Sequence, residues 1–184
     1  NIYGKSKVIG EKYVKEILGD NGKGFIIRNS WLISPFGENF VSKMIKLMNY
    51  NDQIKVINDQ YSCPTSCEEL ARFCWKLVHY NLNNKDMPNN KKSIYHYSDN
   101  GIASWYELAM EVKKYALDYS LIKNPVSIKP INTSEYKTLA NRPKFSLLDC
   151  QETVDKFKIE RLDWRTNLKK IIYSISSQEN SFTN

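Results

Sequence analysis

VIGEKYVKEILGDNGKGFIIRNSWLI, residues 8–33, carries the first clear structural alternation of the chain. Val8, Ile9, Val14, Ile17 and Leu18 share one helical face, with Lys and Glu on much of the other, so the spacing predicts a helix over 4–18. The glycine-rich run 19–24 stops it and makes a loop. From Phe25 to Ile33 the residues are mostly apolar, which fits a buried parallel strand following a helix. Ser34-Pro35-Phe36-Gly37 ends that strand.

Working outward, a helix is expected over 39–48, a short strand over 54–57 and a polar loop from Asn58 to Thr65. Ser66 and Glu69 have capping-box spacing before a helix over 67–80. Residues 81–93 read as an exposed connection and 94–98 as a strand. Ser104 and Glu107 form a second capping-box pattern, opening a helix to about Asp118. Residues 126–131 look strand-like, 134–140 like a short helix, 141–143 like a loop and 146–148 like a short strand. One or two helical turns are expected over 151–157, a last helix over 164–175 and a flexible tail over 176–184. This alternation argues an α/β class with a parallel sheet. A helix at the very front of such a chain needs preceding strands, and the sequence does not open on Met, so a missing front is expected.

Composition is that of an ordinary globular chain: 184 residues, 41% hydrophobic and 26% charged. That rules out collagen, a fully disordered chain and a small disulfide scaffold. No apolar run reaches the ~18 residues of a membrane-spanning helix, and no apolar leader follows Asn1. A cytoplasmic protein is therefore expected. Twenty-seven Lys and Arg against 20 Asp and Glu give a net charge of +7. The basic residues are scattered among acidic ones, which argues against nucleic acid and suits a small phosphorylated ligand. Cys63, Cys67, Cys74 and Cys150 read as reduced thiols. The spacing of Cys63, Cys67, Cys74 and His79 does not match paired zinc knuckles, so no metal site is expected. Cys67 and Cys74 lie seven apart on a helix, which suggests that both pack inward.

Tyr3 and Lys7 stand four apart at the start of the first helix, so phenol and ammonium share a face. A cation beside a phenol favours the phenolate, which suits a group exchanging a proton with a carbonyl oxygen. Taken alone, the same pair also reads as a frayed tyrosine and a solvated lysine.

The context gives the pair more weight. Residues 3–11 (YGKSKVIGE) resemble the active-site helix of extended short-chain dehydrogenases, and more narrowly that of dTDP-4-dehydrorhamnose reductase. Further similar blocks follow in the same order: Arg28–Trp31, Gly37–Val41, Asn58–Thr65, Tyr95–Ser98, Ser104–Glu107, Arg142-Pro143 and Leu162–Arg165. The resemblance runs from residue 3 to about 170. It implies an NADPH- or NADH-dependent oxidoreductase that reduces the C4 ketone of a dTDP-linked 4-keto sugar. The catalytic pair would be Tyr3 and Lys7, with Tyr3 giving the proton and Lys7 holding the nicotinamide ribose. Ser30 would lie near the nicotinamide. Trp31, Asn39, Phe40, Gln60 and Arg142 would bind the nucleotide sugar. Each also has an ordinary structural reading: Trp31 and Phe40 as core, Asn39 as a helix cap, Gln60 serving its own loop, Arg142 in a surface ion pair.

The chain also departs from that family. None of its seven glycines builds a G-x-G-x-x-G loop between a strand and a helix. The Arg-Thr-Ser-Trp of the family is Arg28-Asn29-Ser30-Trp31 here. The expected architecture is thus an incomplete Rossmann-like parallel sheet (residues 1–62) plus a smaller α/β substrate-binding domain (residues 63–175). Such a chain is expected to be inactive without a cofactor-binding half or a homo-oligomeric partner. A non-catalytic relative, such as the regulatory subunit of methionine adenosyltransferase, and another nucleotide-sugar epimerase or reductase are the alternatives.

Overall fold

A computed structural model of the protein describes residues 1–18, 24–83, 93–136 and 142–181. Helix α1 (Ile2–Leu18) buries none of its residues. Its first turn is closed by Asn1, whose Oδ1 accepts from the Gly4 amide at 2.8 Å. The apolar face read from the spacing is real but faces outward: Val8, Ile9 and Ile17 are all exposed.

The expected continuous strand 25–33 is two strands, β1 (Ile26–Arg28) and β2 (Leu32–Ile33). Trp31 has φ 43°, a left-handed conformation that a bulky residue rarely adopts. The break lets the chain change partners. β1 runs parallel to β6 (Ile94–His96), with Ile26 opposite Ile94, whereas β2 runs parallel to β5 (Thr65–Ser66), with Leu32 opposite Thr65. Apolar continuity cannot report which strand a segment will pair with.

Helix α2 (Phe40–Tyr50) buries Val41, Met44, Ile45 and Met48, the face that its spacing predicts. Strand β3 (Gln53–Ile57) alternates exposed and buried residues and pairs in parallel with β8 (Ser127–Ile131). A short antiparallel pair joins β4 (Tyr61–Ser62) to β7 (Ala103–Ser104). The α/β class with parallel strand pairs is as expected.

The polar loop expected from Asn58 to Thr65 contains β4 and the start of β5, and most of it is buried. Its polar groups find distant partners. Ser62 Oγ donates to the Ser146 carbonyl at 3.0 Å, and Thr65 Oγ1 donates to the Ser30 carbonyl. Polar side chains enter a core when each is satisfied there.

Helix α3 (Cys67–Asn83) presents Phe73 and Leu77 to the interior. Cys74 is exposed and Cys67 half-buried, so the shared face of these cysteines is not the packed one, contrary to the expectation from spacing. Only half of the expected capping box forms: Glu69 N donates to Ser66 Oγ at 3.5 Å, but the Ser66 amide donates to Asp99 Oδ2 instead. Helix α4 (Trp105–Asp118) opens with the complete box, Ser104 N to Glu107 Oε2 at 2.6 Å and Glu107 N to Ser104 Oγ at 3.1 Å. Helix α5 (Gln151–Phe157) is the expected short helix. Helix α6 (Trp164–Ser181) continues past Ile175, into the expected flexible tail. Ser176 is buried there, and its Oγ donates to the Tyr173 carbonyl at 2.8 Å.

The expected strand 146–148 reduces to one bridge between Phe145 and Tyr61. A 3-10 turn covers Thr133–Glu135, and the rest of the helix expected there, residues 137–140, lies outside the described residues. The same holds for residues 19–23 of the expected glycine-rich loop, 84–92 of the expected connection and Asn141.

Two apolar cores result. The larger draws on α2, β3, α4, β8 and α6, around Val41, Leu108, Val112, Trp164, Leu168 and Ile172. The smaller joins Phe73 and Leu77 of α3 to Tyr95, Tyr97 and Phe157, with Phe25 and Ile27 packed against it. Both cores use residues from either side of position 62. Residues just after β1, just before β2 and β4, and in the first turns of α1 and α4 line a common cleft.

Candidate active site

The cleft has a volume of about 650 Å³. Tyr3, Ser30, Trp31, Gln60 and Arg142 all line it, although up to 139 positions separate them in sequence. Lys7 and Asn39 are not part of its wall, and neither is Phe40.

Tyr3 is presented by the first turn of α1 and is exposed. Lys7, one turn further, places Nζ 5.2 Å from the centre of the Tyr3 ring. The i, i+4 geometry thus brings ammonium and phenol together as the spacing requires.

Ser30 sits in the break between β1 and β2. Its Oγ donates to the Cys63 carbonyl at 2.7 Å, so the hydroxyl proton is committed and the oxygen lone pairs remain for an incoming donor. Gln60 is 3% exposed, and its Nε2 donates to Thr133 Oγ1 at 3.1 Å. Thr133 Oγ1 in turn donates to Asp59 Oδ1 at 2.6 Å, so it can only accept from Gln60, and the orientation of the carboxamide is fixed. That bond and the Thr133 amide hold the Asp59 carboxyl below its usual range. Arg142 is exposed on the cleft wall and brings a permanent positive charge.

Asn39 behaves as a helix cap. Its Oδ1 accepts from Val41 N at 3.0 Å and its Nδ2 donates to the Ser34 carbonyl at 2.9 Å. Phe40, the next residue, lies with its ring centre 4.7 Å from that of Trp105. Trp105 is the cleft residue that spacing does not single out. It stacks on Trp31 with ring centres 3.6 Å apart and planes 15° from parallel. Its signal in the sequence is its place directly after the capping residue Ser104. Ser146 and Leu148 also line the cleft and carry no such signal.

The wall therefore offers a phenol, a flat aromatic surface, a guanidinium and an oriented carboxamide, with the Lys7 ammonium beside the phenol but off the wall. This set suits a ligand with a sugar-like ring, a transferable proton at an oxygen and negative charge elsewhere. Tyr3 and Ser30 offer hydroxyls on the cleft, with the Lys7 ammonium beside the Tyr3 ring. The diphosphate end of a dinucleotide would need a G-x-G-x-x-G turn, a motif that the seven glycines here do not spell. Among the described residues no cluster of three His, Cys, Asp or Glu side chains is arranged to hold a metal ion. No helix among them is long and apolar enough to cross a membrane.

Similar sequences and folds exist among known proteins. The chain is 30% identical over 175 residues to a dTDP-4-dehydrorhamnose reductase of Sinorhizobium fredii, covering 95% of this chain and 57% of that protein. The spore coat polysaccharide biosynthesis protein SpsK of Bacillus subtilis is 31% identical over 177 residues, covering 96% of this chain and 55% of its own length. Among solved structures, the dTDP-4-dehydrorhamnose reductase of Bacillus anthracis in complex with NADP superimposes with a TM-score of 0.77 at 32% identity, over 94% of this chain and 55% of that one. The chain spans little more than half the length of these relatives. A family model described as the RmlD substrate binding domain matches residues 1–177, and the chain belongs to that family.

Proposed function

We propose that this chain forms the substrate-binding part of a reductase that converts the C4 ketone of a dTDP-linked 4-dehydro sugar to an alcohol. The observation that carries the reading is the convergence of Tyr3, with Lys7 beside its ring, and the Trp31 indole on one cleft. Names of relatives at about 30% identity support the substrate class.

Tyr3 donates its phenolic proton to the C4 oxygen as that oxygen gains negative charge. Lys7, one turn along the same helix face, reaches a ribose hydroxyl of the cofactor. When bound, a dihydronicotinamide would supply the hydride to C4. Ser30 accepts a hydrogen bond from a ligand donor at that end. Trp31 packs against the sugar ring, and Arg142 compensates the diphosphate. Gln60 meets the nucleotide through its fixed carboxamide. Asn39 and Phe40 act one step back, by starting α2 and supporting Trp105.

None of the seven glycines lies in a G-x-G-x-x-G motif, which supports the reading that turnover requires a separate cofactor-binding half. Calorimetric titration of the purified chain with dTDP-rhamnose, and separately with NADPH, tests both statements. Binding of the sugar nucleotide without binding of NADPH is expected. Failure to bind the sugar nucleotide would overturn the substrate reading. NADPH-dependent turnover by the chain alone would overturn the division of labour.

A further inference from the structure

Trp31 is held in two ways. Its backbone takes the left-handed conformation, φ 43°, which is strained for a bulky side chain. Three hydrogen bonds secure that turn: Thr65 N to the Trp31 carbonyl at 3.0 Å, Thr65 Oγ1 to the Ser30 carbonyl, and Ser30 Oγ to the Cys63 carbonyl at 2.7 Å. Its ring is held by Trp105, 3.6 Å away and nearly parallel.

Trp105 is itself firmly placed. It is the first residue of α4, directly behind the two-way capping box of Ser104 and Glu107. Ser104 Oγ also donates to Asn58 Oδ1 at 3.1 Å, tying that helix start to the end of β3. Phe40 closes on the Trp105 ring at 4.7 Å, with planes 39° apart.

We infer that Trp105 is a positioning residue that fixes the Trp31 indole as a rigid, one-sided platform for the sugar of the bound nucleotide. An indole has two faces. Trp105 covers one of them, both residues line the cleft, and the platform proposed for the ligand is the other face. A side chain already ordered before binding loses little freedom when the ligand arrives, so affinity rises without a new contact. The identity of the ligand rests on the function proposed above; the effect of Trp105 on Trp31 does not.

The test has two arms that separate these statements. In the free chain, the Trp31 indole N–H resonance is expected to be sharp and shifted by the Trp105 ring. Trp105→Phe should keep it sharp. Trp105→Met and Trp105→Leu, two variants so that one folded example is available, should broaden it or move it to the position of a free indole. In the second arm, dTDP-rhamnose affinity is expected to fall about tenfold in the Met or Leu variant and to recover to within about threefold in Trp105→Phe. A folded Met or Leu variant that keeps the wild-type Trp31 resonance, or that binds the sugar nucleotide as tightly as wild type, would sink the inference. Absence of binding by the wild-type chain would instead count against the ligand reading, and the resonance would still decide the role of Trp105.

Discussion

Glu11 and Arg28 form a two-pronged ion pair, Nε to Oε1 at 2.7 Å and Nη2 to Oε2 at 2.6 Å, that ties α1 to β1. Because α1 buries no side chain, this pair is a principal tether between the helix that carries Tyr3 and the strand that leads to Trp31. Arg28→Lys loses the fork geometry, and Glu11→Gln loses the charge. Either is expected to raise amide hydrogen exchange across Ile2–Leu18 while the melting of the main cores changes little. The pair is partly exposed, so a cost of about 1 kcal/mol or less is expected. The hydrogen bond from Arg28 holds the Glu11 carboxyl below its usual value. Its contribution is therefore present above the ordinary carboxylate range and is lost as pH falls through the lowered folded value. Protection of α1 that is independent of both substitutions would refute the tether.

The proton donation proposed for Tyr3 would have a kinetic signature. In an active enzyme containing this chain and a dinucleotide-binding domain, Tyr3→Phe should lower kcat by about 10²- to 10⁴-fold and leave KM for the nucleotide sugar nearly unchanged. Lys7→Met should lower kcat and also raise KM for the dinucleotide. Steady-state kinetics on both substrates check this, and a Tyr3→Phe enzyme with near-normal kcat would remove Tyr3 from the chemistry.

Asp99 is 1% exposed in the interior. Burial is the main reason its carboxyl is pushed up from 3.8 to about 6, against the hydrogen bond from Asn167 and that from the Ser66 amide. Asn167 Nδ2 donates to Oδ2 at 2.9 Å, whereas Oδ1 has no hydrogen-bond partner among the described residues. The folded state therefore holds this proton more tightly than the unfolded chain. Its stabilising share is complete below about pH 4 and is lost as pH rises through about 6. Relative to Asp99→Asn, wild-type stability should decline across that window and then level off. Denaturant titrations of both proteins at several pH values measure the difference, and a flat difference curve would contradict the assignment.

The four cysteines should divide by access. Cys74 is exposed and Cys67 half-buried, whereas Cys63 and Cys150 are buried. Burial pushes the Cys63 thiol up to about 12, so little reactive thiolate forms there. A chromogenic disulfide reagent should label Cys74 first and Cys67 more slowly. Cys63 and Cys150 should react only after unfolding. Rapid native labelling of Cys63, read by peptide mass, would contradict the packing around it.

Spacing and caps make several elements legible in the sequence alone. The face of α2, the capping box of Ser104 and Glu107, and the pairing of Tyr3 with Lys7 all depend on residues three or four positions apart. The ordered blocks also point to Ser30, Trp31, Gln60 and Arg142, which the fold brings to one cleft. Not legible are the break at Trp31, the burial of the polar stretch after Asn58, and the stacking of Trp105 on Trp31, although the block Ser104–Glu107 includes Trp105. The apolar stripe of α1 and the alignment of Cys67 with Cys74 are correctly placed on their helices, yet neither is a packed face.

The difference lies in the range of the forces. A helix face or a cap is settled by bonds within one turn, so the identities of a few neighbours suffice. Whether Ile27 continues into Leu32 as one strand depends on β6 and β5, whose paired residues lie 68 and 33 positions away. Whether Thr65 and Ser62 enter the core depends on carbonyls offered by Ser30 and Ser146. Trp105 meets Trp31 because the capped start of α4 is packed beside a left-handed turn. Those partners come together only when the chain folds back on itself, and one-dimensional spacing holds no record of that choice.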